Sequence, residues 1–219
     1  MKRIIVSDIH LGSKYSREEA FLSFLKNIEY DELILAGDII DFIKVPSFSK
    51  RIMEIVNSID FSKKIYYIVG NHDVSLKEFV GTECFGIQFV SEVCFVDSGQ
   101  KIRVEHGDKY DGSSVKHSLF MNVVSVVHNI LEVSLGLNLT EWWTEWETKK
   151  RRAKSLWDIM LKNFDYDYII MGHYHCPEKI TWEDFSGKKV TYVNSGDWVT
   201  HQTFVEVENG IVSLKSYKF

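Results

Sequence analysis

Short polar motifs follow five apolar, strand-like runs of this sequence, and each motif begins where a run ends. The motifs are Asp8-Ile9-His10, Gly37 to Asp41, Gly70 to Asp73, His106-Gly107-Asp108 and Gly172 to His175. Segments with the apolar spacing of helices separate the first three runs, which predicts a βαβαβ order and a parallel sheet. Because the carboxyl ends of parallel strands share one edge of the sheet, we expect the motifs to converge in space.

The wider pattern predicts an α/β fold. The predicted strands are Ile4–Ser7, Leu33–Ala36, Ile65–Val69, Ile102–Glu105, Tyr168–Met171, Val190–Asn194 and Thr203–Val207. Helical spacing of apolar residues is found over Phe21–Ile28 and over Ile52–Ile59. In the last third, short strands alternate with turns at Phe185–Lys189 and Glu208–Gly210, which predicts antiparallel pairing there.

Length and composition are those of one globular domain. The chain has 219 residues, of which 45% are hydrophobic and 26% charged, and this excludes disordered, collagen-like and disulfide-scaffold classes. The formal charge of -5 argues against nucleic acid as a partner. The three cysteines form no CxxC pair, and the N-terminus passes into a strand without the apolar stretch of a signal peptide, so we expect a cytoplasmic protein.

A helical insertion is predicted at about residues 113–163. Its "TEWWTEWE" stretch holds Trp142, Trp143 and Trp146. The pattern favours a hairpin packed on the domain; the alternative is a cap over a site or a surface for an acyl chain. The basic run of Lys149 to Arg152 with Lys154 is interpreted as a solvated face, with contact to a phosphate or an anionic membrane surface as the alternative. Two further histidines of the insertion, His117 and His128, are interpreted as packed or solvent-facing.

The residue types of the five motifs are those of a metal site. Carboxylate, imidazole and carboxamide groups bind borderline-hard divalent ions, and the absence of cysteine from the motifs argues against a thiolate zinc site. Asp8 and His10 have the same two-residue spacing as His173 and His175, so an extended backbone would point both members of each pair the same way. One ion could not easily use all these ligands. Two ions about 3.5–4 Å apart could, with Asp38 as the candidate bridge.

In this order the motifs Asp-x-His, Gly-Asp-x-x-Asp, Gly-Asn-His-Asp, His-Gly-Asp and Gly-His-x-His resemble the calcineurin-like metallophosphoesterase superfamily from Asp8 to His175. The resemblance implies an αββα sandwich of two mixed sheets flanked by helices, with a dimetal site at the strand ends. It also implies two ligand sets that share Asp38: Asp8, His10 and His175 for one ion, and Asn71, His106 and His173 for the other. The ions would be Mn²⁺, with Fe²⁺ or Zn²⁺ as alternatives.

The resemblance assigns roles as well. Two cations would generate a bridging hydroxide that attacks phosphorus. His72 matches the catalytic histidine and would stabilise phosphoryl oxygens or protonate the leaving group, while Asp41 is a plausible partner for its ring. Asp73 and Asp108 either support the ligands or form salt bridges in turns. The location of His201, just after Asn194–Thr200, is left open between the crevice and a site elsewhere.

Four features also resemble the UDP-2,3-diacylglucosamine diphosphatase branch of that superfamily. They are Ser7–Gly12, Gly37–Phe42, the insertion and Asn194–Val199. This resemblance implies hydrolysis of a lipid-linked UDP-sugar pyrophosphate to a lipid monophosphate and UMP, with acyl chains held by the insertion and contact with the inner face of the membrane. Members of the branch carry arginine where this chain has His72. The alternatives are a cyclic nucleotide phosphodiesterase, a phosphoprotein phosphatase or a noncatalytic protein-binding scaffold.

Overall fold

The computed structural model describes residues 1–42, 50–110 and 155–219. The chain divides into two compact units, one formed by Met1–Asp108 with Asn163–Phe219 and the other by Lys109–Lys162. In the second unit, residues 155–162 are helical and the Ser155 hydroxyl donates to the Tyr110 carbonyl at 2.9 Å. The predictions for the rest of the insertion, including its tryptophans, its basic run and its two histidines, lie outside the described residues.

The first unit is built from two mixed β-sheets and flanking helices. Its strands are β1 (Lys2–Val6), β2 (Glu32–Ala36), β3 (Lys64–Ile68), β4 (Glu83–Cys84), β5 (Ile87–Val90), β6 (Val93–Asp97), β7 (Gln100–Val104), β8 (Tyr168–Met171), β9 (Glu178–Glu183), β10 (Lys189–Asn194), β11 (Thr203–Glu208) and β12 (Ile211–Ser216). The helices are α1 (Glu18–Asn27) and α2 (Lys50–Asn57), with 3₁₀ turns at Val74–Phe79 and Asp108–Tyr110. The spatial orders are β12-β11-β1-β2-β3-β5-β4 and β6-β7-β8-β10-β9.

The predicted fold of two mixed sheets flanked by helices is confirmed, and so is the parallel start of the chain. β1, β2 and β3 pair in parallel, and β7 pairs in parallel with β8. The expectation of antiparallel pairing in the last third holds for β9 with β10 and for β11 with β12. It is wrong for β10 with β8, which are parallel, because β9 occupies the edge of the sheet and the chain returns from it alongside β8.

The core explains why the central strands are apolar on both faces. In β1, Ile4 and Val6 pack in the cluster that contains the residues of α1 and α2, whereas Ile5 packs in the cluster between the two sheets. Leu33 and Ile34 of β2 divide in the same way. Successive side chains of a strand point to opposite faces, so a strand covered on both sides reads as a continuous apolar run. The same burial holds the carboxyl ends of these strands in place.

Among the described residues, no helix combines the length and the apolar character needed to span a membrane.

Candidate metal centre

The ends of strands from both sheets bring the predicted ligands together at one edge of the first unit. Three groups of side chains have ligand atoms that all lie within 4.8 Å of one another: Asp8, His10 and His175; His10, Asp38 and His72; and Asp38, His106 and His173. His10 and Asp38 each belong to two groups, so the three groups form one continuous cluster. β1, β2 and β3 of the larger sheet and β7 and β8 of the smaller sheet end at this point.

Most of these ligand residues have a left-handed backbone. The φ angles are +52° at Asp8, +51° at His10, +53° at Asp38, +66° at His173 and +51° at His175. Positive φ is uncommon outside glycine, and such conformations persist where surrounding structure enforces them, often at functional sites. The expectation that an extended backbone aligns each pair is therefore wrong. Both members of each pair have a left-handed φ, in the loops that follow β1 and β8.

The first part of the cluster contains two imidazoles and a carboxylate that point at one another. The Nε2 atoms of His10 and His175 are 3.3 Å apart, and His175 Nε2 is 3.2 Å from Asp8 Oδ1. Asp8 Oδ1 is buried and accepts no hydrogen bond of normal geometry, whereas Asp8 Oδ2 accepts from the Ser7 hydroxyl at 2.5 Å and from the His173 backbone amide at 2.9 Å. The unsatisfied oxygen and the two ring nitrogens are the donor set that a divalent cation requires.

The second part of the cluster surrounds Asp38 and His106. His106 Nε2 lies 3.2 Å from Asn71 Oδ1 and 3.4 Å from Asp38 Oδ2. The other ring nitrogen, Nδ1, is 3.0 Å from the Ala36 carbonyl and donates to it, so Nε2 is the nitrogen that can bind a cation once it has released its proton. The ring of His173 is 5.2 Å from that of His106, centroid to centroid. His173 and His175 therefore belong to different parts of the cluster, as the resemblance implies.

His72 faces the cluster with Asp41 beside it. The backbone amide of His72 donates to Asp38 Oδ1 at 2.7 Å, and His72 Nδ1 lies 3.2 Å from Asp41 Oδ1. Asp41 is buried, while about a quarter of the His72 side chain is exposed, at 24%. The ring of His72 also meets the ring of His10 edge-on, with the centroids 4.7 Å apart. His72 thus combines a buried carboxylate partner with access to solvent.

Electrostatics within the cluster keep the carboxylates ionised. Burial alone would raise the pKa of Asp38, but the hydrogen bond and the positive charge of His106 hold that pKa well below its ordinary value. The pKa of Asp8 is lowered against the effect of burial by its contacts with His175 and His106. Burial also opposes protonation of His106, yet the hydrogen bond with Asp38 and the charges of both aspartates raise its pKa to about 10. The pKa of His10 is lowered by burial.

Glycines let the backbone pass close to the carboxylates of Asp38 and Asp8. A Cβ atom at Gly70 would overlap the carboxylate of Asp38, and a Cβ atom at Gly172 would overlap Asp8 Oδ2 and Ser7 Oγ. Neither position has a left-handed φ, so the requirement for glycine is one of space. The glycines of these two motifs therefore serve the carboxylates of the neighbouring motifs.

Asp73 supports the cluster, and Asp108 does not belong to it. Asp73 Oδ1 accepts from the Gly70 backbone amide at 2.5 Å, and Oδ2 accepts from the Ile39 amide at 3.0 Å and from the Tyr67 hydroxyl at 2.6 Å. These bonds tie the loop after β3 to the loop after β2. Burial raises the pKa of Asp73, in part against those hydrogen bonds. Asp108 is exposed.

Sequence reasoning missed Asp197 and left His201 open. Asp197 Oδ2 lies 2.7 Å from His201 Nδ1 and 3.7 Å from His175 Nδ1, which places His201 at the edge of the cluster. Burial would raise the pKa of Asp197, but hydrogen bonds from the Thr200 backbone amide and from His201 lower it. The Asn194–Val199 segment marked this loop, but nothing in its sequence indicates which residue of the motifs it contacts.

Residues 1–177 match the family model described as calcineurin-like phosphoesterase. Similar solved structures include an archaeal phosphodiesterase, which is 15% identical over 98% of this chain and 99% of that chain, with a TM-score of 0.49. YfcE, a phosphoesterase from E. coli, is 15% identical over 99% and 93% of the two chains, with a TM-score of 0.48. Vps29 complexed with zinc from Entamoeba histolytica is 14% identical over 98% and 97%, with a TM-score of 0.47. Likeness at this level supports no conclusion about activity. No curated protein sequence matches the chain.

Proposed function

The chain belongs to the calcineurin-like phosphoesterase family, and we propose that it is a dimetal hydrolase of phosphodiester or pyrophosphate bonds. The observation that carries the proposal is the continuity of the ligand groups through His10 and Asp38. One ion would be held by Asp8, His10 and His175 and the other by Asn71, His106 and His173, with Asp38 shared. Each ion would then have oxygen and nitrogen ligands from at least two strand ends.

The donor set suits Mn²⁺, with Fe²⁺ or Zn²⁺ as alternatives, because it combines carboxylate, carboxamide and imidazole and contains no thiolate. When bound, a pair of such cations supplies Lewis acidity to phosphate oxygens and activates water. The protein contributes two carboxylates that remain ionised at neutral pH, Asp8 and Asp38. It also holds His106 with Nδ1 donating to a backbone carbonyl, so that Nε2 faces the cluster.

His72 is the proposed catalytic histidine. Its Nδ1 is paired with Asp41, which leaves Nε2 for the substrate. A ring held in this way can donate a proton to the leaving-group oxygen or a hydrogen bond to a phosphoryl oxygen. Asp41 would fix the tautomer and the orientation of the ring, without itself contacting the substrate.

The substrate we propose is a lipid-linked pyrophosphate such as UDP-2,3-diacylglucosamine, cleaved to a lipid monophosphate and UMP. Support comes from the segments Ser7–Gly12, Gly37–Phe42 and Asn194–Val199, which resemble that branch of the family and contribute Asp8, His10, Asp38 and Asp197 to the cluster region. The tryptophans at positions 142, 143 and 146 would contact the acyl chains, at the inner face of the membrane. A cyclic nucleotide or a phosphoprotein is the alternative substrate.

Hydrolysis by the reconstituted protein tests the proposal. Protein loaded with Mn²⁺ is given UDP-2,3-diacylglucosamine, a chromogenic phosphodiester, a cyclic nucleotide and a phosphopeptide. We expect turnover of the first two, loss of turnover in Asp38→Ala, and full activity in Asp184→Ala, which changes a partly exposed aspartate in the loop after β9. A protein that binds two ions and hydrolyses no phosphoester would overturn the proposal.

Polar replacements of the three tryptophans separate the substrate classes. If the acyl chains bind there, the variants lose activity on the lipid-linked substrate and keep it on the chromogenic diester. Equal activity of the variants and the wild type on every substrate would favour the cyclic nucleotide or phosphoprotein alternative.

A further inference from the structure

The loop between β10 and β11 holds one buried carboxylate, Asp197, in a fixed orientation. Its Oδ1 accepts hydrogen bonds from three successive backbone amides, those of Val199 at 2.8 Å, Thr200 at 2.5 Å and His201 at 3.1 Å. One carboxylate oxygen is therefore committed to the turn that follows Asp197. The other oxygen, Oδ2, is directed by this arrangement and remains available to side chains.

The same loop is attached to the strand end that carries Asp8. The backbone amide of Trp198 donates to the Asp8 carbonyl at 3.1 Å, and the hydroxyls of Ser195 and Ser7 are 2.7 Å apart. The Trp198 ring is fully buried and lies 4.8 Å from the ring of Phe24 in α1, centroid to centroid. A loop anchored both to β1 and to the core holds Asp197 in register with the ligands.

Two histidines face the remaining oxygen of Asp197. Oδ2 is 2.7 Å from His201 Nδ1 and 3.7 Å from His175 Nδ1. The opposite nitrogen of His175, Nε2, points at Asp8 Oδ1 and His10. His175 is thus placed with one nitrogen toward the cluster and the other toward a buried carboxylate.

His106 is held in a similar way, with one ring nitrogen toward the cluster and the other hydrogen-bonded to a fixed acceptor. Its Nε2 faces Asn71 and Asp38 while Nδ1 donates to the Ala36 carbonyl at 3.0 Å. A hydrogen bond of this kind sets the tautomer and the ring orientation of a metal-binding histidine and increases its basicity. Unlike His106, which is buried, His175 has 38% of its side chain exposed, so its ring needs another restraint.

We propose that Asp197 and His201 are positioning residues for His175. The Nδ1–H of His201 orients the carboxylate of Asp197, and that carboxylate orients the His175 ring toward an ion. The proposal rests on the dimetal function proposed above. The segment Gly196 to His201, "GDWVTH", contains neither a proposed metal ligand nor the proposed catalytic histidine. The positioning of His175 gives this segment a role. Removal of the Asp197 carboxylate should lower the affinity for the ion near Asp8, His10 and His175. The affinity for the other ion should not change.

Titration of the metal-free protein with Mn²⁺ by calorimetry tests this role in Asp197→Asn. The asparagine oxygen can keep the three backbone hydrogen bonds, while its amide group replaces Oδ2 and presents a donor to two ring nitrogens that also donate. We expect the affinity of one site to fall about 10–100-fold, as for other residues that orient metal ligands. Asp184→Asn is the matched control, because Asp184 Oδ1 also accepts from backbone amides of a turn, those of Ser186 and Lys188. This variant should bind both ions as the wild type does.

Two variants of His201 give a second test, in which Asp197 itself is unchanged. In His201→Ala the Asp197 carboxylate loses its side-chain donor, and one site should weaken. In His201→Asn the side-chain amide takes a place near that of Nδ1 and can donate to Asp197, so the affinity should return toward the wild-type value. The thermal midpoint of each metal-free variant shows whether the fold is intact.

The outcomes are distinct. Weakening of one site in Asp197→Asn and in His201→Ala, with recovery in His201→Asn, supports the proposal. Wild-type binding in all three variants, or equal weakening of both sites together with a lower thermal midpoint, would overturn it while the proposed function stands. A wild-type protein that binds no divalent ion would overturn both.

Discussion

Gly172→Ala should lower both stability and metal affinity, because the new methyl group occupies space held by the Asp8 carboxylate and the Ser7 hydroxyl. Both groups are buried in a network with the Ser195 hydroxyl and the His173 amide, so neither can move freely. Overpacking of a tight interior costs about 1–3 kcal/mol. A displaced hydrogen bond to the ionised carboxylate adds about 1.5–3 kcal/mol. The sum corresponds to a decrease in melting temperature of roughly 5–25 °C for a chain of this size.

Scanning calorimetry of the metal-free protein measures the first effect, and titration with Mn²⁺ measures the second. Gly99→Ala is the control: no atom lies within 4 Å of its Cβ position, but its φ is +85°, so the substitution carries only the cost of a left-handed alanine. That cost is about 1–2 kcal/mol, and metal binding should be unchanged. If Gly172→Ala melted at the same temperature as Gly99→Ala and bound Mn²⁺ like the wild type, the close approach at Gly172 would not support the Asp8 carboxylate.

Three further expectations follow from the cluster. The asparagine of Asp73→Asn can accept from only some of the donors that converge on Asp73, and its own buried amide group would lack an acceptor. The free energy of unfolding, measured by chemical denaturation, should therefore fall by about 1–3 kcal/mol. Unchanged stability would contradict the hydrogen-bond assignment. Asp41→Asn should reduce kcat about 10–100-fold with little change in Mn²⁺ affinity, because Asp41 acts through His72; a loss of affinity with unchanged kcat would contradict this. His106 has a pKa raised to about 10 in the metal-free protein and must release its proton to bind an ion, so metal affinity should fall as pH is lowered below that value. The stability that protonated His106 contributes to the metal-free protein should be lost as pH rises through the same value. Calorimetric titration with Mn²⁺ in buffers of different ionisation enthalpy detects the proton released on binding. Binding without proton release would contradict the assignment of His106 as a ligand.

The location of the candidate ligands at strand ends could be predicted from sequence. The run Ile4–Val6 is apolar at every position and is buried on both faces, so the end of β1 and the start of the Asp8 motif are sharply defined. The same holds for Asp38 after β2. Convergence of Asp8, Asp38 and Asn71 then follows from the parallel pairing of β1, β2 and β3, which the alternation of strands and helices predicts. The approach of His106, His173 and His175 depends in addition on how the smaller sheet packs on the larger one.

The local geometry of the site could not be predicted in this way. The left-handed φ angles of Asp8 and His10 are unfavourable for these residues in isolation and depend on the surrounding contacts, such as the bond from the His10 amide to the Asp38 carbonyl at 3.0 Å. Strand β9 was missed because its side chains alternate between half-buried and exposed and include three charged residues, which weakens the apolar signal. The contact of Asp197 with His175 joins residues that are distant in sequence, and it depends on how the β10–β11 loop folds back on β1.

The central claim is that one cluster holds two ions that share Asp38. Anomalous diffraction from crystals of the Mn²⁺-loaded protein tests this claim most directly. The account predicts two anomalous peaks about 3.5–4 Å apart, one against Asp8, His10 and His175, the other against Asn71, His106 and His173, with Asp38 between them. A single peak, or two peaks that do not both contact Asp38, would contradict it.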